Sequence, residues 1–69
     1  MRIRPYYTYD LGCLYFPNSI PHSATRQLKR WINYNKELRR ELDKTGYLDK
    51  QRVLTPTQVE LICHYLGEP

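Results

Sequence analysis

Helix breakers and capping residues divide this 69-residue chain into short pieces, and that division limits its fold more than any other feature. The strongest breakers are Pro17, Pro21, Gly46 and Pro56. Proline cannot continue a helix that precedes it, and glycine favours the residue just after a helix. Because a chain of this length forms one small domain, the pieces must share one core. We therefore expect a single domain over residues 1–69, mostly α, with about four helices.

Caps predict the first three helices. The first begins with Thr8 as its N-cap and stops at Pro17. The second begins around Pro21–Ser23, with proline in the first turn and serine as a cap, and continues to about Asn35. Asn35 or its neighbour caps a third helix, which ends at Gly46.

The last helix has the clearest start. Thr55 and Gln58 form a capping box, Pro56 takes the first helical position, and Gly67 marks the end. The polar stretch 47–54 before it ends in Val53-Leu54. We interpret that stretch as an extended loop or hairpin.

Helical spacing predicts which side chains face the core. The second helix has one apolar face and the last helix has an apolar stripe at three- and four-residue spacing. The predicted core consists of Ala24, Leu28, Trp31, Ile32, Val59, Ile62, Cys63 and Leu66, with Leu11, Leu14, Leu38 and Leu42.

The second helix is also basic on the side away from its apolar face. That side carries His22, Arg26, Lys29 and Asn33, flanked by Thr25 and Arg30. The chain has a net charge of +4, and residues 1–35 account for it, with five Lys and Arg against one acid. A positive surplus on one helix favours a polyanionic partner.

The cysteine and histidine residues do not follow the spacing of a metal site or a catalytic site. Cys13, Cys63, His22 and His64 lack metal-ligand spacing, and no His is placed to activate a nucleophile. We expect no enzymatic activity, no metal and no cofactor. A reducing compartment makes buried free thiols the expectation for both cysteines.

The N-terminus has no signal peptide features, and no apolar run is long enough to span a membrane. These features predict a cytoplasmic protein.

Tyr6, Tyr7 and Tyr9 lie near Arg2 and Arg4, an arrangement that suits stacking on unpaired bases. Closing a small core is the expected role for these tyrosines.

Motifs along nearly the whole chain occur in a characteristic order. They are Leu11-Gly12-Cys13-Leu14-Tyr15-Phe16-Pro17, Pro21-His22-Ser23-Ala24, Arg30-Trp31-Ile32, Gly46-Tyr47, Thr55-Pro56 and Tyr65-Leu66-Gly67-Glu68-Pro69. The set resembles the small domain-of-unknown-function family DUF4248 of Bacteroides-type bacteria. The resemblance implies no particular activity.

The order of elements is also similar, more distantly, to winged helix-turn-helix modules of mercury-resistance regulators and phage excisionases. This resemblance implies a compact winged helix-turn-helix-like domain whose second helix enters the DNA major groove and whose wing touches the backbone. The turn from Phe16 to Pro21 is longer than in those modules, and Lys36 to Thr45 forms an inserted helix. The implied DNA-binding residues are His22, Ser23, Thr25, Arg26, Lys29 and Arg30 on the helix, and Lys50 and Arg52 on the wing.

Double-stranded DNA is therefore the expected partner, for transcription regulation or for recombination of a mobile genetic element. In this interpretation Arg26 and Arg30 pair with guanine and Lys29 holds phosphate. Two alternatives stay open. The basic face is simply solvated, or the chain is a protein-protein interaction module of phage or mobile-element machinery. A homodimer also fits, because helix-turn-helix proteins commonly read two half-sites.

Overall fold

Four helices and one short two-stranded sheet make up the fold in the computed structural model, which describes residues 2–69. In chain order the elements are β1 (Tyr6–Tyr7), α1 (Thr8–Tyr15), α2 (Pro21–Tyr34), α3 (Lys36–Lys44), β2 (Val53–Leu54) and α4 (Pro56–Leu66). The predicted class, mostly α with about four helices and a short extended wing, is confirmed.

Local capping explains where α3 and α4 begin and end. The Asn35 side chain accepts a hydrogen bond from the backbone N–H of Leu38, which satisfies one of the free donors of the first turn of α3. Thr55 and Gln58 form both hydrogen bonds of the predicted capping box. Gly46 and Gly67 follow α3 and α4 with φ of 86° and 85°, a conformation that glycine adopts at little cost.

The two other predicted caps are wrong. Tyr7, not Thr8, is the N-cap of α1, and the Thr8 hydroxyl instead donates to the carbonyl oxygen of Gln51 at 3.0 Å. Ser23 lies inside α2, which starts at Pro21 after Ile20 without a side-chain cap. At the start of α1, the Thr8 hydroxyl bonds to Gln51, which is distant in sequence, and therefore does not cap the helix. At α2 the fixed φ of Pro21 suits the first turn and sets the start two residues before the serine.

The extended wing is built from two distant parts of the chain. Tyr6 pairs with Leu54 and Tyr7 pairs with Val53 in an antiparallel register. The sequence allowed a hairpin within residues 47–54. Instead, the residues just before α4 pair with the N-terminal segment. Strand alternation then buries Tyr6 and exposes Tyr7.

The two strands β1 and β2 form a short antiparallel ribbon. The core lies where the four helices meet the buried side of this ribbon. It contains Tyr6, Leu11, Leu28, Ile32, Leu38, Leu42, Tyr47, Leu54, Val59 and Ile62, and Ala24 is also fully buried. Cys63 and Leu66 pack against this cluster while partly exposed.

Two other residues predicted for the core are exposed. Leu14 is 46% exposed and Trp31 is 44% exposed. The buried face of α2 is centred on Leu28, between Ala24 and Ile32, so that Trp31 falls at the edge of the helix–helix contact. There its ring packs edge-to-face on Phe16, with 4.7 Å between ring centroids.

Candidate nucleic-acid interface

A groove of about 610 Å³ lies where the start of α1, the polar side of α2 and the residues just before β2 meet. We call it the basic groove. It is lined by Tyr7, Thr8, Tyr9, Asp10, His22, Thr25, Lys29, Lys50, Gln51 and Arg52. Tertiary structure thus brings together His22, Thr25 and Lys29 of the predicted reading helix with both predicted wing residues.

The other three predicted residues lie on a neighbouring row of α2. Ser23, Arg26 and Arg30 line a smaller hollow of about 230 Å³ together with Gln27. Residues three and four apart are neighbours on a helix surface, and a shift of one residue turns the row by about 100°. The polar side of α2 therefore consists of two adjacent rows, of which one faces the basic groove and one lies beside it.

The cations of both rows are available to a ligand. Within residues 2–69, the ion pairs join Arg39 to Asp43 and Asp49 at 2.9 and 2.6 Å, and Lys44 to Glu41 at 2.8 Å. All of these pairs involve α3 and the turn after it. The predicted cations are outside this set, and they are exposed or, for Lys29, half-buried: Arg26, Lys29, Arg30, Lys50 and Arg52.

Gln51 holds the backbone between Lys50 and Arg52 in place. Its side-chain amide donates to the carbonyl oxygen of Val53 at 2.7 Å, and its Oε1 accepts from the N–H of Leu48 at 3.2 Å. The backbone carbonyl oxygen of Gln51 accepts a hydrogen bond from the Thr8 hydroxyl, and the Thr8 N–H donates to the carbonyl oxygen of Arg52 at 2.9 Å. The carbonyl groups of Gln51 and Arg52 are thereby tied to the start of α1.

Gln58 extends this network into the core. The side chain is almost fully buried, at 2% exposure. Its Oε1 accepts from the N–H of Thr55 at 3.0 Å and also from Gln51 Nε2, and its Nε2 donates to Thr45 Oγ1 at 2.9 Å. Sequence reasoning found the capping role of Gln58 and missed the rest. The overlooked indication was that a capping-box glutamine accepts through its oxygen, which leaves two amide hydrogens for other partners.

Gly12 allows α1 to lie close against α2. A β-carbon at this position would lie 3.1 Å from the backbone carbonyl carbon of Ala24 and from the backbone nitrogen of Thr25. These are tighter than ordinary van der Waals contacts, and backbone atoms cannot rotate away. The absence of a side chain at Gly12 therefore sets how near Tyr9 and Asp10 lie to the polar side of α2.

The seven tyrosines divide between the core and the surface. Tyr6 and Tyr47 are buried, at 8% and 5% exposure, as expected for residues that close a small core. The Arg4 guanidinium stacks over the Tyr6 ring at 3.9 Å from its centroid. Tyr7 and Tyr9 are 61% and 53% exposed and line the basic groove, so the core role predicted for them is wrong.

Cys13 and Cys63 are not joined in a disulfide, as predicted, and both are half-buried where full burial was expected. The single hydrogen of the Tyr15 hydroxyl is shared between two acceptors, Cys63 Sγ at 3.7 Å and the carbonyl oxygen of Gly67. Burial is the main cause that raises the pKa of Tyr15 above its ordinary value, and the hydrogen bond with Cys63 acts in the same direction. This cluster fastens the end of α4 to α1.

Two features of residues 2–69 bear on other classes of function. No three His, Cys, Asp or Glu side chains of this part of the chain are grouped so that they could hold a metal ion. None of its helices has the length and apolar character needed to cross a membrane.

The chain was compared with known proteins at the level of families, curated proteins and solved structures. No curated protein and no solved structure matches it. The model of one family, described as domain of unknown function (DUF4248), matches residues 2–69. Because this match covers nearly the whole chain, as the order of its motifs predicted, the protein belongs to the DUF4248 family.

Proposed function

We propose that the protein is a cytoplasmic DNA-binding protein, without enzymatic activity, that holds double-stranded DNA against α2 and the segment Lys50–Arg52. The observation that carries the proposal is that cations from α2 and from this segment line the same groove, and that these cations form no ion pair within residues 2–69. Lysine and arginine displace counterions from the DNA backbone, which provides most of the affinity for duplex DNA.

The two rows of α2 suit different parts of a duplex. Arg26 and Arg30 are exposed and belong to the row beside the groove, and we assign to them the contacts with guanine edges in the major groove. Lys29, Lys50 and Arg52 suit phosphate contacts that fix the orientation of the helix. This division of roles corresponds to that of a reading helix and a wing in winged helix-turn-helix modules.

The biological role that we propose is transcription regulation or an excisionase-like accessory role in a mobile genetic element. Both roles need a small domain that recognises a DNA site and leaves the chemistry to other proteins. They differ in the target DNA, which a selection from random duplexes followed by sequencing identifies.

The proposal is tested by fluorescence titration of mixed-sequence duplex DNA at two salt concentrations. We expect the wild-type protein to bind more weakly as salt rises. The double variant Lys29→Glu/Lys50→Glu should lower the slope of log K against log salt by about two, one for each lost phosphate contact.

The matched control is Lys36→Glu/Arg40→Glu, which changes the net charge equally on α3 and keeps the basic groove intact. We expect this control to retain most of the affinity. Equal losses in the two double variants would mean that net charge alone attracts DNA, and the proposed interface would then be wrong. Circular dichroism confirms that each variant remains folded.

A second candidate function, a protein-interaction module of phage or mobile-element machinery, is favoured by a different surface. Trp31 and Tyr34 are 44% and 76% exposed, and with Leu66 they line a hollow of about 550 Å³. Exposed Trp and Tyr are typical anchors of protein interfaces. If the partner is a second copy of this chain, sedimentation equilibrium should detect a dimer that Trp31→Ala abolishes and that salt barely weakens.

A further inference from the structure

The duplex contacts proposed above make no use of the ring faces of two exposed tyrosines in the basic groove. Tyr7 and Tyr9 are more than half exposed, although they lie in a groove lined also by Lys29, Lys50 and Arg52. In a duplex the bases are stacked on one another and offer only their edges to a protein in the grooves. The face of a tyrosine ring therefore finds no base face to stack on.

Aromatic rings beside cations suit unpaired nucleotides. A base that has left the stack offers a π face to an aromatic side chain, while its phosphates bind nearby lysine or arginine. The basic groove contains both kinds of group, and its volume of about 610 Å³ suits a ligand of nucleotide size.

Asp10, the one acidic side chain among the described residues that line the groove, also fits a base better than a phosphate. A carboxylate repels phosphate, but it accepts hydrogen bonds from the amino and imino groups of a base. The imino group and one hydrogen of each amino group are free for a protein only when the base is unpaired.

We propose that the basic groove binds an unpaired nucleotide where a DNA duplex continues into a single strand. Lys50 and Arg52 hold the phosphates on either side of this nucleotide, and its base stacks on Tyr7 or Tyr9. The duplex lies along α2, so this inference rests on the proposed function and specifies the kind of DNA that the protein prefers.

The test compares three fluorescent DNA probes with the same duplex segment: one blunt, one with a three-nucleotide single-stranded overhang, and one whose overhang carries the same phosphates but no bases. We expect the wild-type protein to bind the overhang probe roughly tenfold more tightly than the abasic probe, which is the contribution of stacking one base. The abasic probe should bind much like the blunt one, apart from a gain from its extra phosphates that salt removes.

Tyrosine variants connect this preference to the groove. Tyr7→Ala/Tyr9→Ala should bind the overhang and abasic probes equally, whereas Tyr7→Phe/Tyr9→Phe should keep the preference because phenylalanine also stacks. Tyr34→Ala is the control, since this exposed ring lines a different hollow. If the double alanine variant does not fold, the phenylalanine variant and the abasic probe still test the idea with folded protein.

The outcomes separate this inference from the proposed function. Equal affinity of the wild-type protein for the overhang and abasic probes overturns the inference, while salt-dependent binding of the blunt probe would leave duplex binding intact. A preference that survives in the double alanine variant also overturns it, because another surface would then read the base. Failure of the protein to bind any probe overturns both proposals together.

Discussion

Gly12 shows how one missing side chain controls the packing of two helices. Alanine normally stabilises a helix interior relative to glycine by about 1 kcal/mol. Here the added methyl group would press on the backbone of α2 at 3.1 Å, and overpacking of this kind costs about 1–3 kcal/mol. The packing cost is the larger effect, because the neighbouring atoms belong to the backbone and cannot change rotamer.

We therefore expect Gly12→Ala to lower the free energy of unfolding by about 1 kcal/mol, measured by urea denaturation. Glu60→Ala on the exposed side of α4 serves as the control, with an effect within about 0.5 kcal/mol. A Gly12→Ala protein more stable than the wild type would show that α1 moves away from α2 without cost.

The sequence predicts the capping role of Gln58 but not its hydrogen bonds to residues outside the helix. Its position three residues after Thr55 predicts the capping box, because both partners lie in the same helical turn. The hydrogen bonds with Thr45 and Gln51 join parts of the chain that sequence spacing does not connect. A pattern within four residues cannot reveal contacts of this kind.

At the scale of the element, the start of α4 allows these two roles to be separated. Thr55→Ala removes only the cap and should lower the free energy of unfolding by about 1 kcal/mol. Gln58→Leu removes the buried Gln58 amide and with it the hydrogen bonds to the Thr55 N–H, Thr45 and Gln51, and should cost about 2–3 kcal/mol.

Both variants are compared by chemical denaturation, and DNA titration then measures the effect on the basic groove. We expect Gln58→Leu to weaken DNA binding more than Thr55→Ala does, because Gln51 orders the backbone between Lys50 and Arg52. Equal stability losses in the two variants would contradict a role for Gln58 beyond the cap.

Among the elements, the helices were more predictable than the ribbon. The bounds of α3 and α4 follow from Asn35, Gly46 and the Thr55 capping box, all of which act within one turn. The ribbon follows from no such rule, since two residues at the N-terminus pair with two residues just before α4. Strands this short carry too little periodicity to indicate their partner.

At the scale of the whole molecule, Tyr47 makes the free energy of unfolding fall as the pH becomes alkaline. Burial is the main cause that raises the pKa of Tyr47, and the nearby Asp49 carboxylate adds to it. The unfolded chain releases this proton near pH 10, whereas the folded protein retains it to higher pH. The contribution of Tyr47 is thus fully present below pH 10 and is lost as the pH rises further.

We expect Tyr47→Phe to unfold with nearly the wild-type free energy at pH 7 and to lose stability less steeply above pH 10. Thermal unfolding monitored by circular dichroism across that range provides the measurement. Tyr34→Phe, which removes the hydroxyl of an exposed tyrosine, is the matched control. Parallel profiles for wild type and Tyr47→Phe would contradict the assignment.

Local rules were enough to predict the mostly α class, the apolar and basic sides of α2 and the caps of α3 and α4, because helical periodicity and capping act over a few residues. They did not predict that Lys50 and Arg52 share a groove with only one of the two polar rows of α2, or that Tyr7 and Tyr9 line it. They also misassigned Thr8, whose hydroxyl bonds to Gln51, 43 residues away. These features depend on which distant segments pack together, and burial of the whole core selects that arrangement.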